Sequence, residues 1–241
     1  MDGSQTGKLW SSFAASTRYN VIREYKSKRN TVLLLYDRLQ QRHLVFKGTD
    51  QGRAEMETLR HLAARGVAVP KLIAAAEFPS DIHGFFMEYI PGEPLCDYLE
   101  RQEQDGASAA DQQPILDIWV NWLASFYENM AAAGQRQLGD VNLRNFLVQH
   151  DSQRVFGVDF ETCPLGSAEG NIGAIVVFLL TYDPSFTPWK YDLARAFLRT
   201  AERTWPIDAR LVRRAAEAEM AAMALRRSQK FPKRLLMNVF T

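Results

Sequence analysis

The sequence predicts an α+β protein in which a strand-rich first lobe is followed by a largely helical second lobe carrying a small hairpin. Three observations predict it. Branched and aromatic runs are broken by polar turns between Tyr19 and Ile90; "PGEP" at 91–94 interrupts the chain; and beyond it apolar residues recur at three- and four-residue steps. The expected division is residues 1–90 and 91–241, and a cleft between such lobes is the natural place for a ligand.

In the first lobe, "YNVIREY", "TVLLLYDR" and "HLVFK" read as three consecutive antiparallel strands, with turns at "KSKRN" and "LQQR". "QGRAEMETLRHLAARG" reads as a helix with Met56, Leu59, Leu62 and Ala63 on its inner face and Gly66 as its stop. "VAVPKLIAAAE" and "GFFMEYI" supply two further strands. In the second lobe, "LCDYLERQE" is a short helix, and "QDGASAADQQ" (104–113) is a polar loop with nothing to bury. "PILDIWVNWLASFYENMAAAG" starts at Pro114 and ends at Gly134, with Ile115, Trp119, Trp122, Phe126 and Met130 marking a core helix. Two short strands, "FLV" and "VFGVDF", bracket a turn at "QHDSQR", and helices are expected at 170–182, 189–203 and from Asp208 towards Arg227. The tail "RRSQKFPKRLLMNVF" is basic and apolar together. It reads as packing on the helical lobe, with peripheral contact to an anionic membrane surface as the alternative.

Composition narrows the function. The chain has 241 residues, 46% of them apolar and 24% charged, the profile of an ordinary globular protein. A net charge of +1 provides no field that would recruit nucleic acid, so any phosphate binding must be local. Cys96 and Cys163 are too isolated for a disulfide framework or thiolate metal site, and the four histidines lie on different elements. The opening "MDGSQTGKLWSSFAAS" has no apolar run of signal length, and "AIVVFLL" is too short to cross a bilayer. A cytoplasmic protein without a transmembrane segment is expected. Nothing in the sequence signals an oligomeric state.

The chemistry concentrates in "LGDVNLRNFLV", residues 138–148. Asp140 and Asn145 lie on a loop between the core helix and a buried strand, and Asp159 ends "VFGVDF". A hairpin between them brings Asn145 and Asp159 to the mouth of one ribbon. A carboxylate and an amide oxygen are hard ligands of the kind Mg²⁺ takes. Asp140, beside them, is placed to hold a hydroxyl that attacks a phosphoryl group. Asn142 and Arg144 read as loop-stabilising groups.

This D-x-x-x-x-N followed by D-F resembles the catalytic loop and metal motif of the protein-kinase-like superfamily. The resemblance extends upstream. Lys47, in "LVFK", matches the phosphate-contacting lysine, and Glu55, in "EMETLRHL", matches the glutamate that pairs with it. "FFMEYIPGEPL" looks like the hinge, where backbone groups around Glu88 and Ile90 would hold adenine. "GVAVPKLI" and "GEPL" are similar to phrases of aminoglycoside phosphotransferases and choline-kinase-like enzymes, and the likeness covers about residues 19–182. It implies a protein-kinase-like bilobal fold using ATP and Mg²⁺, with Lys47, Glu55 and Asp140 as the catalytic set and Asn145 and Asp159 as metal ligands.

Three departures qualify the likeness. "EYKSKRNTVLLLYD" carries no glycine where a G-x-G-x-x-G loop belongs; Lys26, Lys28 and Arg29 either supplement phosphate contacts or form a solvated basic hairpin. Leu138 replaces the usual histidine. Asp159-Phe160 is followed by Glu161, which leans towards choline-kinase-like enzymes. The next helix follows closely with no A-P-E segment, which implies a small-molecule or sugar acceptor in place of a peptide. Asn171 occupies the place where small-molecule kinases often have an aspartate. Glu161, Glu169 and Asp183 are candidates to hold a cationic acceptor. Were the tail on a membrane, a lipid-linked sugar would suit, as for lipopolysaccharide-core kinases. The alternatives are a compact RIO-like atypical protein kinase or ATPase working within a complex, and an inactive pseudokinase binding module.

Overall fold

The computed structural model describes residues 11, 13, 16–27, 29–77, 83–131, 134, 136–232 and 234–240. It divides into two compact units, Met1–Pro91 and Gly92–Thr241.

The first unit is built on a five-stranded antiparallel sheet of β1 (Tyr19–Tyr25), β2 (Thr31–Asp37), β3 (Arg42–Gly48), β4 (Leu72–Glu77) and β5 (His83–Glu88), in the order β1-β2-β3-β5-β4. Successive side chains of a strand point to opposite faces. Leu33, Leu35, Leu44 and Phe46 therefore share one face, where Phe13, Tyr19 and Phe86 pack on them. The helix α1 (Gly52–Ala64) follows β3 after only three residues. Its buried face is Gly52, Glu55, Leu59 and Leu62. Met56 is only half-buried and Ala63 is exposed, which corrects the expected inner face. Apolar spacing carries no signal for the acid; Glu55 is inside because it meets Lys47, the pairing that the resemblance implies.

Of the basic residues in the β1–β2 turn, Lys26 and Arg29 are exposed, and Lys28 lies outside the described residues. The turn residue Asn30 donates its backbone N–H to Ser27 Oγ.

The second unit opens with β6 (Gly92–Pro94), where the sequence suggested only a connection. It pairs with β7 (Phe146–Gln149), which pairs in turn with β8 (Val155–Gly157). A Cβ on Gly92 would sit 2.3 Å from the Val148 carbonyl oxygen, so glycine is what lets β6 approach. The expected hairpin is thus the core of a three-stranded sheet. Helices α2 (Leu95–Gln104), α3 (Gln113–Ala131), α4 (Ala168–Thr181), α5 (Pro188–Thr204), α6 (Ala209–Arg226) and α7 (Arg234–Met237) complete the unit.

In α3, Ile115, Trp119, Trp122, Phe126 and Met130 are all buried, as the spacing predicts. Trp119 meets Phe146 and Phe197, so the strand β7 and helix α5 are anchored on the same ring. The 104–113 stretch is not a plain polar loop. It holds a short 3-10 turn, Ala110–Gln112, with Ala109 and Gln112 buried. The Gln112 amide nitrogen donates to Gln102 Oε1 and the Ser108 carbonyl, which satisfies the donor half of this buried side chain. The basic tail packs on its own unit: Leu236 and Val239 are buried, and Phe231 lies against Phe186. No helix among the described residues is long and apolar enough to cross a membrane.

Candidate functional site

In the first unit, Lys47 lies on β3 between Val32 of β2 and Phe85 of β5. Its neighbour Phe46 faces the aromatic cluster, so alternation directs Lys47 to the opposite face. There its Nζ lies 3.0 Å from Glu55 Oε1 and 2.8 Å from Oε2. The two side chains are only 5% and 2% exposed. Burying both charges costs several kcal/mol per ion before their attraction is counted. Close two-oxygen contact offsets that cost and leaves the ammonium little freedom.

Glu88 ends β5, and Ile90 follows it with a buried side chain. The Glu88 backbone N–H donates to the Lys71 carbonyl at 2.9 Å, and Glu88 Oε2 accepts from the Lys71 N–H. The chain at the end of this sheet is thereby held from both its backbone and its side chain.

In the second unit, the 138–145 loop is fixed by a set of short-range bonds. Asn142 donates its backbone N–H to Asp140 Oδ1 at 2.9 Å, and Asn145 Nδ2 donates to the Asp140 carbonyl at 3.3 Å. Asn142 caps the 3-10 turn Leu143–Asn145 by accepting the Arg144 N–H. Asp140 itself is exposed. Gly139 donates its N–H to the Thr162 carbonyl, and a Cβ on it would lie 2.1 Å from Thr162 Oγ1 and 2.5 Å from that carbonyl oxygen. Only glycine permits this approach. Gln137 likewise donates to the Pro164 carbonyl, so residues 137–139 and 162–164 run pinned together.

Asn145 immediately precedes β7, and Asp159 lies just past β8. The Val158 N–H donates to the Asn145 carbonyl at 2.9 Å, which closes the ribbon at the end where both residues sit. Asp159 has φ of +69°, a left-handed conformation that costs a non-glycine residue energy and is concentrated at functional sites. Phe160 anchors the strained residue, being buried against Trp122 and Phe126. Arg144 forms an ion pair with Asp97 at 3.5 Å with both partners largely exposed, an arrangement worth little. Of the proposed acceptor-binding acids, Glu169 accepts from the Asp208 N–H, Asp183 is exposed, and Glu161 is half-buried.

Two residues support the loop from behind: Asn171, at the place where the resemblance expects an aspartate, and Tyr182, to which the sequence reading gave no role. Asn171, buried in α4, accepts from the Leu138 N–H at 2.8 Å and donates to the Leu138 carbonyl at 3.0 Å; its Oδ1 also accepts from the Tyr127 hydroxyl. A carboxamide both gives and receives, which an aspartate in its ionised form cannot do. Leu138 is buried, so the position of the usual histidine is filled by an apolar side chain held through its backbone. Tyr182, at the end of α4, donates its hydroxyl to Asn142 Oδ1. The signal for Asn171 is its place at the head of "NIGAIVVFLL", where the resemblance expects an aspartate; Tyr182 carries none.

No family model matches the chain, and no curated protein matches it in sequence. Solved structures do match. One is the crystal structure of "a putative aminoglycoside phosphotransferase" from Ralstonia eutropha JMP134, with a TM-score of 0.63 over 98% of this chain and 93% of that one at 15% identity. The chain therefore shares that structure's fold, an antiparallel sheet followed by a mostly helical part.

Proposed function

We propose that this chain is an ATP- and Mg²⁺-dependent phosphotransferase that moves a γ-phosphoryl group to a hydroxyl of a small molecule or sugar. The observation that carries the reading is the buried Lys47–Glu55 ion pair in a kinase-like fold. A well-packed apolar pair would cost less at that position. An ammonium kept aimed at phosphate oxygens gives the cost a purpose.

In this reading Lys47 contacts the phosphates, Glu55 aims it, and backbone groups around Glu88 and Ile90 hold the adenine. Asn145 and Asp159 would hold Mg²⁺. Their chemistry fits: the Asn145 Nδ2 is turned to the Asp140 carbonyl, so the oxygen of the same carboxamide faces the other way, and the Asp159 carboxylate is the matching hard donor. The ion would supply positive charge to non-bridging phosphate oxygens. Asp140 orients the acceptor hydroxyl and receives its proton late in the transfer. The short run from Glu161 to the start of α4 at Ala168, pinned to residues 137–139, favours a small acceptor over a peptide. The likeness to an aminoglycoside phosphotransferase supports the same class of acceptor.

The test is a nucleotide-hydrolysis screen with Mg²⁺-ATP against pooled aminoglycosides, choline-like alcohols and sugars, with Asp159→Ala as control. One pool should stimulate ADP release by the wild-type chain and leave the control unchanged. Absence of stimulation by every pool, together with no thermal stabilisation by Mg²⁺-ATP, would instead indicate a binding module without phosphotransfer.

A further inference from the structure

Behind the 138–145 loop, the turn after α4 is held with unusual firmness. Lys190 is buried, and its ammonium donates to the carbonyls of Tyr182 and Pro184 and pairs with Glu103 Oε2 at 3.3 Å. The backbone of Tyr182 is thereby fixed from α5. Its side chain then reaches across to the loop, where the hydroxyl donates to Asn142 Oδ1 at 2.7 Å. The same oxygen accepts the Arg144 N–H at 3.0 Å, and the Asn142 N–H donates to Asp140 Oδ1 at 2.9 Å.

This makes a directed relay from a rigid buried cation to an exposed carboxylate. Each link is set by chemistry: a carboxamide oxygen can only accept, so Tyr182 must donate, and the backbone N–H of Asn142 can only donate, so Asp140 must accept. Burial pushes the Tyr182 phenol well above the ordinary tyrosine range, which keeps it a donor throughout the working pH range. An exposed aspartate would otherwise rotate freely about its side-chain bonds. Asn142 also caps the turn that carries Asn145, so one hydroxyl steadies two of the residues that line the loop.

We infer that Tyr182 is a positioning residue, acting through Asn142 to fix the rotamer of the Asp140 carboxylate. The inference rests on the reading of Asp140 as the group that meets the acceptor hydroxyl. It concerns a different residue, and the two can fail separately.

The experiment compares the full chain with Tyr182→Phe, Asn142→Ala, the double variant and Asp140→Asn. One readout is steady-state Mg²⁺-ATP hydrolysis, with water standing in for the acceptor; the other is amide hydrogen exchange at Asn142 and Arg144. Tyr182→Phe should lower kcat about tenfold with the KM for ATP unchanged, the loss expected when one neutral positioning hydrogen bond is removed. The Asn142 and Arg144 amides should exchange several-fold faster, whereas the melting temperature should hold within a few degrees. Because the relay runs through Asn142, the double variant should be no slower than Asn142→Ala alone. A Tyr182→Phe protein with wild-type kcat and wild-type exchange, beside an inactive Asp140→Asn protein, overturns the positioning role and leaves the Asp140 reading standing. Independent, multiplying losses in the double variant overturn the route through Asn142. If Asp140→Asn hydrolyses ATP as fast as wild type, the reading of Asp140 falls and the role of Tyr182 falls with it; if the wild type turns over only with an acceptor pool, the same comparison is made with that pool.

Discussion

Asn171 closes both backbone groups of Leu138 with one carboxamide, accepting from its N–H at 2.8 Å and donating to its carbonyl at 3.0 Å. Leu138 stands two residues before Asp140, so this double bond sets where the loop begins. An ionised aspartate at 171 could take the N–H but would face the carbonyl with a second acceptor. Asn171→Asp should therefore destabilise the protein by roughly 1–3 kcal/mol or more near neutral pH, the cost of an unsatisfied buried group. Desolvation and the facing carbonyl both favour the protonated acid, so the new carboxyl titrates above its unfolded value. The penalty should be present above that raised value and shrink as the pH falls through it towards the unfolded value of about 3.9, because the protonated acid can donate again. Urea unfolding of both proteins at two pH values measures it.

The Lys47–Glu55 pair should show asymmetric energetics. Removing one partner separates a buried pair at a typical cost of about 3–5 kcal/mol, whereas replacing both with apolar residues of similar volume is often nearly neutral. Lys47→Met and Glu55→Leu singly should lower the denaturation midpoint strongly, and the double variant should recover most of the loss. Stabilisation by Mg²⁺-ATP should be lost in all proteins lacking Lys47. Chemical denaturation with and without nucleotide separates folding from binding.

Acid sensitivity should follow from Asp37. The Arg18 guanidinium donates to both of its oxygens, and the Leu39 and Gln40 N–H groups donate to Oδ1. The Arg18 hydrogen bond holds the Asp37 carboxyl below its ordinary range, against the opposing effect of burial. A depressed carboxyl adds stability that is complete above the unfolded value of about 3.9 and disappears as the pH falls through the folded value. Asp37→Asn should lower the melting temperature by a few degrees at neutral pH, and the difference from wild type should close below pH of about 4. Thermal melts across an acid series test the sign.

Much of this was legible in the chain. The β-rich first unit, the α3 core stripe and the ribbon that closes between Asn145 and Val158 all follow from alternation, helical spacing and turn residues. What escaped was set by partners distant in sequence. Apolar spacing alone puts Met56 and Ala63 on the inner face of α1; the helix is turned instead by the Lys47–Glu55 pair, which the family resemblance, not the spacing, points to. Gly92–Pro94 looked like a connection because Pro and Gly punctuate chains, yet the missing side chain of Gly92 is what admits it beside Val148. The resemblance marks the place of Asn171 but not its bonds to Leu138, and Tyr182 carries no local pattern at all. Their roles exist only once α4 lies behind the loop, which no short window of sequence contains.

The most direct measurement is transfer of labelled γ-phosphate from Mg²⁺-ATP to the acceptor pool that stimulates turnover, for wild type, Asp140→Ala and Asp159→Ala. The account predicts a phosphorylated hydroxyl product from wild type, a loss of about 10²–10⁴-fold in rate for Asp140→Ala at unchanged stability, and no detectable product from Asp159→Ala. Equal product from wild type and Asp140→Ala would contradict the assignment of the acceptor hydroxyl to Asp140, and equal product from all three would contradict the site as a whole.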